Sequence, residues 1–283
     1  MSVQLKQVKR RIISTSQIHK MTSMMQRVAA ARLVRDRSAM TGSDRYYRRL
    51  KDVIQETVNC APRPDTPFLA RSPRLPRCVV VFGSDHGLCG AYHSALINRM
   101  EKLVRQTENG SVEFVVVGRI VARRAGRSGL RICAEFAQPK ASDRPGLIRE
   151  LDSLITGRFV DGTSGCIDIL YTCYESAFRR APAIERILPA PFAVSESGAQ
   201  ERSAFEPDPC SMLEILVPEF VYQSLDRAFL HSLASEDAAR QTAMSRASRN
   251  AEDILDGLNR KYVRMRQDNI TTEMLEITSG RMA

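Results

Sequence analysis

The stretch VVVFGSDHGLCGAYHSAL, residues Val79 to Leu96, joins a run of four apolar residues to three glycines, an aspartate, two histidines and a cysteine. Its local chemistry admits a phosphate loop, a metal site or a nucleophile. Spacing removes the first. The glycines stand at 83, 87 and 90, which is not the G-x-G-x-x-G of a dinucleotide turn. Gly90 is followed by Ala91 rather than by Lys and Ser or Thr, so no Walker A loop is encoded. Cys89 and His93, four apart, can share a helix face near Asp85 and His86, yet zinc takes three or four ligands and the chain holds no second ligand pair. A cysteine nucleophile needs a base and a group to orient it. The remaining reading is structural. Val79 to Phe82 form a buried strand, Gly83 turns the chain, Ser84 or Asp85 caps the next element, and Gly87 and Gly90 tighten the turn before a helix from about Ser94. His86 and His93 then count as partly exposed residues, and the turn as a protein-contact surface. No catalytic residue, cofactor or metal is expected.

Outward from this unit, apolar β-rich runs alternate with helical ones. CVVVF (78–82), EFVVVG (113–118), LRICAEF (130–136) and IDILYTCY (167–174) are separated by SALINRMEKLVRQ (94–106), IVARRAG (120–126) and GLIRELDSLIT (146–156). Such alternation predicts a Rossmann-like α/β domain with a mainly parallel sheet, over 78–194. RAPAIERILPAP (180–191) supplies a last edge strand. The Pro-rich segment 61–77 reads as a linker and 195–207 as a loop.

The flanks are helical. Residues 1–60 contain no proline and one glycine, Gly42, and Leu5, Val8, Ile12, then Ile18, Met21, Met25 and Val28 recur at spacings of three and four. A helix of that length spans about 80 Å, too long to bury in a domain of this size. A second helix occupies 208–283, with Asp208 as N-cap, Pro209 as first residue, an interruption or kink at Pro218, and a stripe of Met244, Ala247, Ala251, Ile254, Leu258 and Met265. One helix enters the α/β domain and the other leaves it, so two protruding neighbours run antiparallel. The expected molecule is a head with a two-helix coiled-coil stalk, its stripe broken between Ile12 and Ile18.

Charge is uneven. The net +10 resides in residues 1–60, which carry +9, while 61–230 carry +1 and 231–283 are neutral. A basic arm seeks an acidic partner, nucleic acid or protein. A basic-zipper reader needs a basic region leading into leucine heptads; here the basic residues share the helix with the apolar stripe, so nucleic acid is the weaker reading. Seven scattered cysteines with no C-x-x-C pair fit a reducing compartment. No apolar run approaches the roughly 20 residues of a membrane span, and MSVQLKQVKRR lacks the apolar core of a secretory signal.

Six blocks carry a family resemblance: KRRI (9–12), HKMTSMMQRVAAARL (19–33), SDHGLCG (84–90), FEPDP (205–209), LASEDAARQTAM (233–244) and RQDNITTEMLEI (266–277). In these blocks the chain resembles the γ subunit of F-type rotary ATP synthases over almost its whole length. The resemblance implies a non-catalytic central shaft that transmits torque between a membrane c-ring and the catalytic hexamer, with the α, β and ε subunits and the c-ring as partners. It implies no nucleic acid and a peripheral position on the cytoplasmic face of a bacterial inner membrane. It assigns Met25, Arg266, Gln267, Thr271 and Glu273 to contacts with β and α, and Asp85, His86, Gly87, Leu88, Cys89 and Gly90 to a contact turn. The chain departs from the family pattern at His86, where Arg or Lys is usual, at Ala91-Tyr92-His93, at Asp268-Asn269 and at Ile18-His19, which fits a second, divergent synthase. His86 makes the turn contact sensitive to pH on this reading. The paired regulatory cysteines of the chloroplast form have no counterpart. The alternative functions are a nucleotide-binding α/β enzyme with helical extensions and a basic coiled-coil nucleic-acid binder.

Overall fold

The structure is a computed structural model that describes residues 3–60, 68, 75–107, 112–176, 179–192 and 208–280. Most of the expected 61–77 linker and the whole 195–207 loop lie outside the described residues. The chain divides into two compact units, residues 32–239 and residues 1–31 with 240–283.

In the first unit β1 (Arg77–Phe82), β2 (Val112–Val117), β3 (Ile132–Phe136), β4 (Cys166–Tyr174) and β5 (Arg180–Leu188) form one sheet in the order β3-β2-β1-β4-β5. Strands β3, β2, β1 and β4 pair in parallel, with Val80 opposite Val115 and Ile169, and only β5 runs antiparallel, Ile184 against Leu170. Residues 78–82 of β1 and 114–117 of β2 read as unbroken apolar runs because helices cover both faces. On one face Val80, Phe82, Val115 and Ile169 meet Ile148, Leu151 and Ile155 of α4 (Arg144–Val160). On the other, Val79, Val81, Phe114 and Val116 meet Leu96 and Met100 of α2 (Tyr92–Gln106) and Val121 and Ala125 of α3 (Arg119–Arg127).

Two long helices, α1 (Val3–Cys60) and α5 (Pro209–Gly280), contribute to both units. Within residues 32–239 they run antiparallel: Tyr47 stacks on Phe220 with ring centroids 5.7 Å apart, while Leu33 and Met40 cluster with Leu230, Ala234 and Ala238. Ile54, Val58, Leu213 and Val217 carry this pairing into the sheet core. Asp208 caps α5 as expected, its Oδ1 accepting from the Cys210 amide at 3.0 Å. Of the interruption or kink expected at Pro218, the interruption does not occur: α5 runs on through it. Val217, Phe220 and Val221 around it are fully buried, and their packing outweighs the one backbone hydrogen bond a proline forgoes.

In the second unit the seam of α1 differs from the expected stripe. Leu5, Val8, Ile12, Thr15, His19, Thr22, Gln26 and Ala29, at alternating spacings of three and four, are buried or half-buried. The heptads are therefore unbroken, and residues 15 to 26 of the seam are polar. Ile18, Met21 and Val28 are instead 52%, 62% and 53% exposed. The facing seam of α5 is Met244, Ser248, Ala251, Leu255, Leu258, Tyr262, Met265 and Asn269, and Ile254, expected on it, is exposed. His19 ties the two seams: its Nδ1 lies 3.1 Å from the Ser248 carbonyl and 3.3 Å from its hydroxyl.

Candidate functional site

The turn after β1 is built at the C-terminal edge of the parallel strands. Gly83 leaves β1 so close to α3 that a Cβ would stand 2.4 Å from Val121 Cγ2. Gly118, at φ +108°, crosses the same place from β2, where a Cβ would stand 2.4 Å from the Ser84 nitrogen. These two close approaches require glycine. They bring Ser84 under the turn, buried, while His86, Gly87 and Leu88 remain exposed. Leu88 adopts φ +63° and Gly90 +60°, which reverses the chain into α2.

A chain of polar contacts lies under that turn. Ser84 Oγ donates to the His86 carbonyl at 3.1 Å, so it accepts from His93 Nε2 at 2.8 Å. That leaves His93 Nδ1 as the acceptor for the Cys89 thiol at 3.3 Å. Cys89 and His93 are each 2% exposed. The expectation of a partly exposed His93 is thereby corrected: with both ring nitrogens hydrogen-bonded, the ring tolerates burial. Cys89 does have a base and an orienting hydroxyl beside it, which sequence reasoning missed because nothing in the sequence marks Ser84 and His93 as meeting.

Asp85 caps a different helix from the one expected. Its Oδ1 accepts from the Arg119 amide at 2.7 Å, at the start of α3, and its Oδ2 from Arg119 Nε at 2.8 Å. α2 begins at Tyr92 with no side-chain cap. Burial alone would raise the Asp85 pKa, but the Arg119 amide and guanidinium outweigh it and hold the carboxyl below its ordinary value. The Asp85 amide donates to Gln138 Oε1 at 3.2 Å, and Gln138 Nε2 to Glu236 of α5 at 2.8 Å. Ser232 of α5 donates to the Phe82 carbonyl at 3.2 Å and accepts the Thr172 amide at 3.2 Å, so α5 is fastened across the ends of β1 and β4.

The other candidate residues lie in the unit of residues 1–31 and 240–283. Met25 is half-buried beside the α1 seam. Arg266, Gln267 and Thr271 are exposed on α5, off its seam, and Thr271 Oγ1 donates only to the Gln267 carbonyl of its own helix at 3.0 Å. Glu273 stands on the same helix. The turn residues 85–90 gather at one place in the first unit, and Arg266, Gln267 and Thr271 gather on one stretch of α5.

Among the described residues no three His, Cys, Asp or Glu side chains converge as metal ligands, and no helix is long and apolar enough to cross a membrane. Ser84, Cys89 and His93 are engaged with one another, so the turn offers neither open coordination nor a phosphate cradle.

Comparison with known proteins covers nearly the whole chain. A family model described as ATP synthase matches residues 4–283. The ATP synthase gamma chain of Moorella thermoacetica is 32% identical over 98% of this chain and 97% of its own length, and that of Heliobacterium modesticaldum is 30% identical over 99% and 98%. Among solved structures, the rotor of the Euglena gracilis mitochondrial ATP synthase in rotational state 1 superposes with a TM-score of 0.67, at 14% identity, over 94% of this chain and 99% of that one. The central stalk of the Tetrahymena thermophila mitochondrial enzyme gives 0.60 at 17% identity, over 81% and 99%.

Proposed function

This chain belongs to the ATP synthase gamma-chain family, the non-catalytic central-stalk rotor subunits of F-type ATP synthases, and from that premise we propose which of its parts do the turning and which make contact. Segments 1–60 and 208–283 act as the shaft and 78–194 as the foot. Turning an asymmetric shaft inside the hexamer of α and β subunits drives the three catalytic sites through different conformations in sequence. Met25 meets β from α1, and Arg266, Gln267, Thr271 and Glu273 hydrogen-bond to β and α from α5. The turn Asp85, His86, Gly87, Leu88, Cys89 and Gly90 contacts the neighbouring rotor parts, the ε subunit or the c-ring. The assembly sits on the cytoplasmic face of a bacterial inner membrane, with this subunit peripheral to it.

The observation that carries the reading is that the two ends of the chain, more than 200 residues apart in sequence, form a compact unit of their own from nothing but helix. A lone enzyme domain has no use for such a unit, whereas a shaft needs it. Exposure of Arg266, Gln267 and Thr271 leaves their side chains available to a surrounding subunit.

Co-expression with the cognate α and β subunits tests the proposal. The chain is expected to copurify with both as a complex that hydrolyses ATP, and to have no ATPase activity alone. Recovery of α and β without this chain would overturn it.

A further inference from the structure

Helix α3 carries an exposed charge that the fold does not use. Residues 119–131, RIVARRAGRSGLR, hold five arginines and no acid. Two of the five are engaged: Arg119 pairs with Asp85 at 2.8 Å, and Arg131 with Glu113 at 3.0 Å. Arg123, Arg124 and Arg127 are exposed and, among the described residues, their side chains make no hydrogen bond or ion pair. Asp85 is taken by Arg119, Glu113 by Arg131 and Arg158, and Glu101 of α2 by Arg105. At spacings of three and four the three guanidinium groups share one face of the helix.

Between them stands Gly126, exposed, where an added Cβ would meet nothing within 4 Å. Glycine weakens a helix interior, and nothing inside this molecule requires it there. A small residue among three free cations suits the close approach of something from outside.

We propose that Arg123, Arg124 and Arg127 form a docking face for a carboxylate-bearing surface of another protein subunit. Guanidinium forks match carboxylates and phosphates alike. Three features favour the carboxylate. The first amide of α3, a natural phosphate donor, is already occupied by Asp85. No aromatic residue stands in 119–131 on which a base would stack. Three cations on a convex nine-residue helix are also too few for firm hold on a nucleic-acid backbone, whose affinity grows with the number of phosphates neutralised. The proposal rests on the rotor reading in one respect, that neighbouring subunits exist for this face to meet.

The test uses the whole complex, co-expressed with all its cognate soluble subunits, comparing wild type with R123E/R124E/R127E and R123Q/R124Q/R127Q. Native mass spectrometry reports subunit composition between 50 and 300 mM salt. Both variants are expected to keep their helical content, α and β. They should bind one further subunit at least about tenfold more weakly, as three exposed ion pairs allow, with charge reversal worse than neutralisation. In the wild type that subunit should leave as salt rises. Unchanged composition and salt dependence in the reversed variant overturns this proposal alone, as does a loss confined to anionic vesicles or single-stranded DNA. Absence of α and β from the wild-type preparation overturns the rotor reading and this one with it.

Discussion

His231 Nε2 on α5 stands 3.0 Å from Asp44 Oδ1 on α1, and Arg227 Nε reaches the same oxygen at 2.7 Å. Arg227 also donates to Glu185 of β5 at 2.9 Å and to the Tyr171 hydroxyl of β4 at 3.2 Å. One carboxylate on α1 therefore gathers α5 and two strands into a single polar joint. The sequence hides this joint because, Arg227 and His231 on one helix excepted, its members lie between 14 and 187 residues apart.

The joint should make stability depend on pH. Burial lowers the His231 pKa, but the Asp44 bond and then the Cys173 contact outweigh it, and the imidazole lies above its ordinary 6.5. Protonation costs the bond that Nδ1 accepts from the Tyr174 amide at 3.3 Å, which tempers the rise. For Asp44, burial raises the value, while His231 and Arg227 bring it below 3.8. A raised histidine stabilises fully below its unfolded value and loses that contribution as pH rises through the folded one; a depressed carboxyl loses its contribution as pH falls. The pair thus contributes most between about pH 4 and 6.5. Asp44→Asn should cost about 2 kcal/mol in that window, and less at pH 9. Urea unfolding of both proteins across pH 5 to 9 checks it; a wild-type advantage that stays constant over the range refutes the coupling.

Gly118→Ala should be far more harmful than Gly126→Ala. At Gly118 a side chain faces both a positive φ and the Ser84 backbone at 2.4 Å, which cannot give way as a flexible side chain does. A loss of about 3 kcal/mol or more is expected, lowering Tm by roughly 6 to 12 °C. At Gly126 the same change meets open space and should stabilise the helix by up to about 1 kcal/mol. Thermal unfolding followed by circular dichroism separates the two, and equal effects would refute the reading of the crossing beneath the turn.

The helix seams show where sequence reading succeeded and where it could not. Strand and helix order was legible because each run carries its own period and its own breakers. The phase of α1 was not. Ile18, Met21 and Val28 look like a stripe locally, yet the seam passes through Thr15, His19, Thr22 and Gln26. Phase is set by the whole antiparallel partner, and three apolar side chains cannot rotate a helix of 58 residues away from it. The turn was legible as a shape and not as a network, since Ser84, Cys89 and His93 meet only once the helix forms. Ile18→Ser or Met21→Ser should accordingly change the stability of the isolated chain by less than about 0.5 kcal/mol, and Leu5→Ala, on the 4% exposed seam, by about 2 kcal/mol or more. Comparable losses at both kinds of position, measured by urea unfolding, would restore the local stripe.

Cys133 should be the most reactive of the seven cysteines at neutral pH. It is exposed on edge strand β3, where its Sγ donates to the Phe114 carbonyl at 3.3 Å, and the influence of the buried Cys78 thiol is the largest one bringing its pKa down to about 7. Arg158 adds to the effect, and Glu113 opposes it. Thiolate, not thiol, attacks iodoacetamide, so the labelling rate should rise with a midpoint near pH 7. Cys78→Ala should move that midpoint upward by removing the thiol that lowers it. Mass spectrometry of briefly labelled protein identifies the site, and preferential labelling of Cys60 or Cys210 would count against this account.

Arg266→Ala should separate assembly from folding. The side chain is exposed on α5 and, among the described residues, has no partner within the chain, so stability of the isolated protein should stay within about 0.5 kcal/mol of wild type. In the assembled complex a charge-assisted hydrogen bond to a neighbouring subunit is worth about 1.5 to 3 kcal/mol, or roughly ten- to hundredfold in an affinity. Yield of the complex, or its torque under ATP hydrolysis, should fall by a measurable part of that. Gln267→Ala, which removes a neutral partner beside it, should have a smaller effect, since neutral bonds contribute about half as much. Lysine at 266 keeps the charge but not the planar fork, and should restore only part of the loss. A destabilised isolated chain would mean that Arg266 serves the helix itself, and an unimpaired complex that it serves no contact.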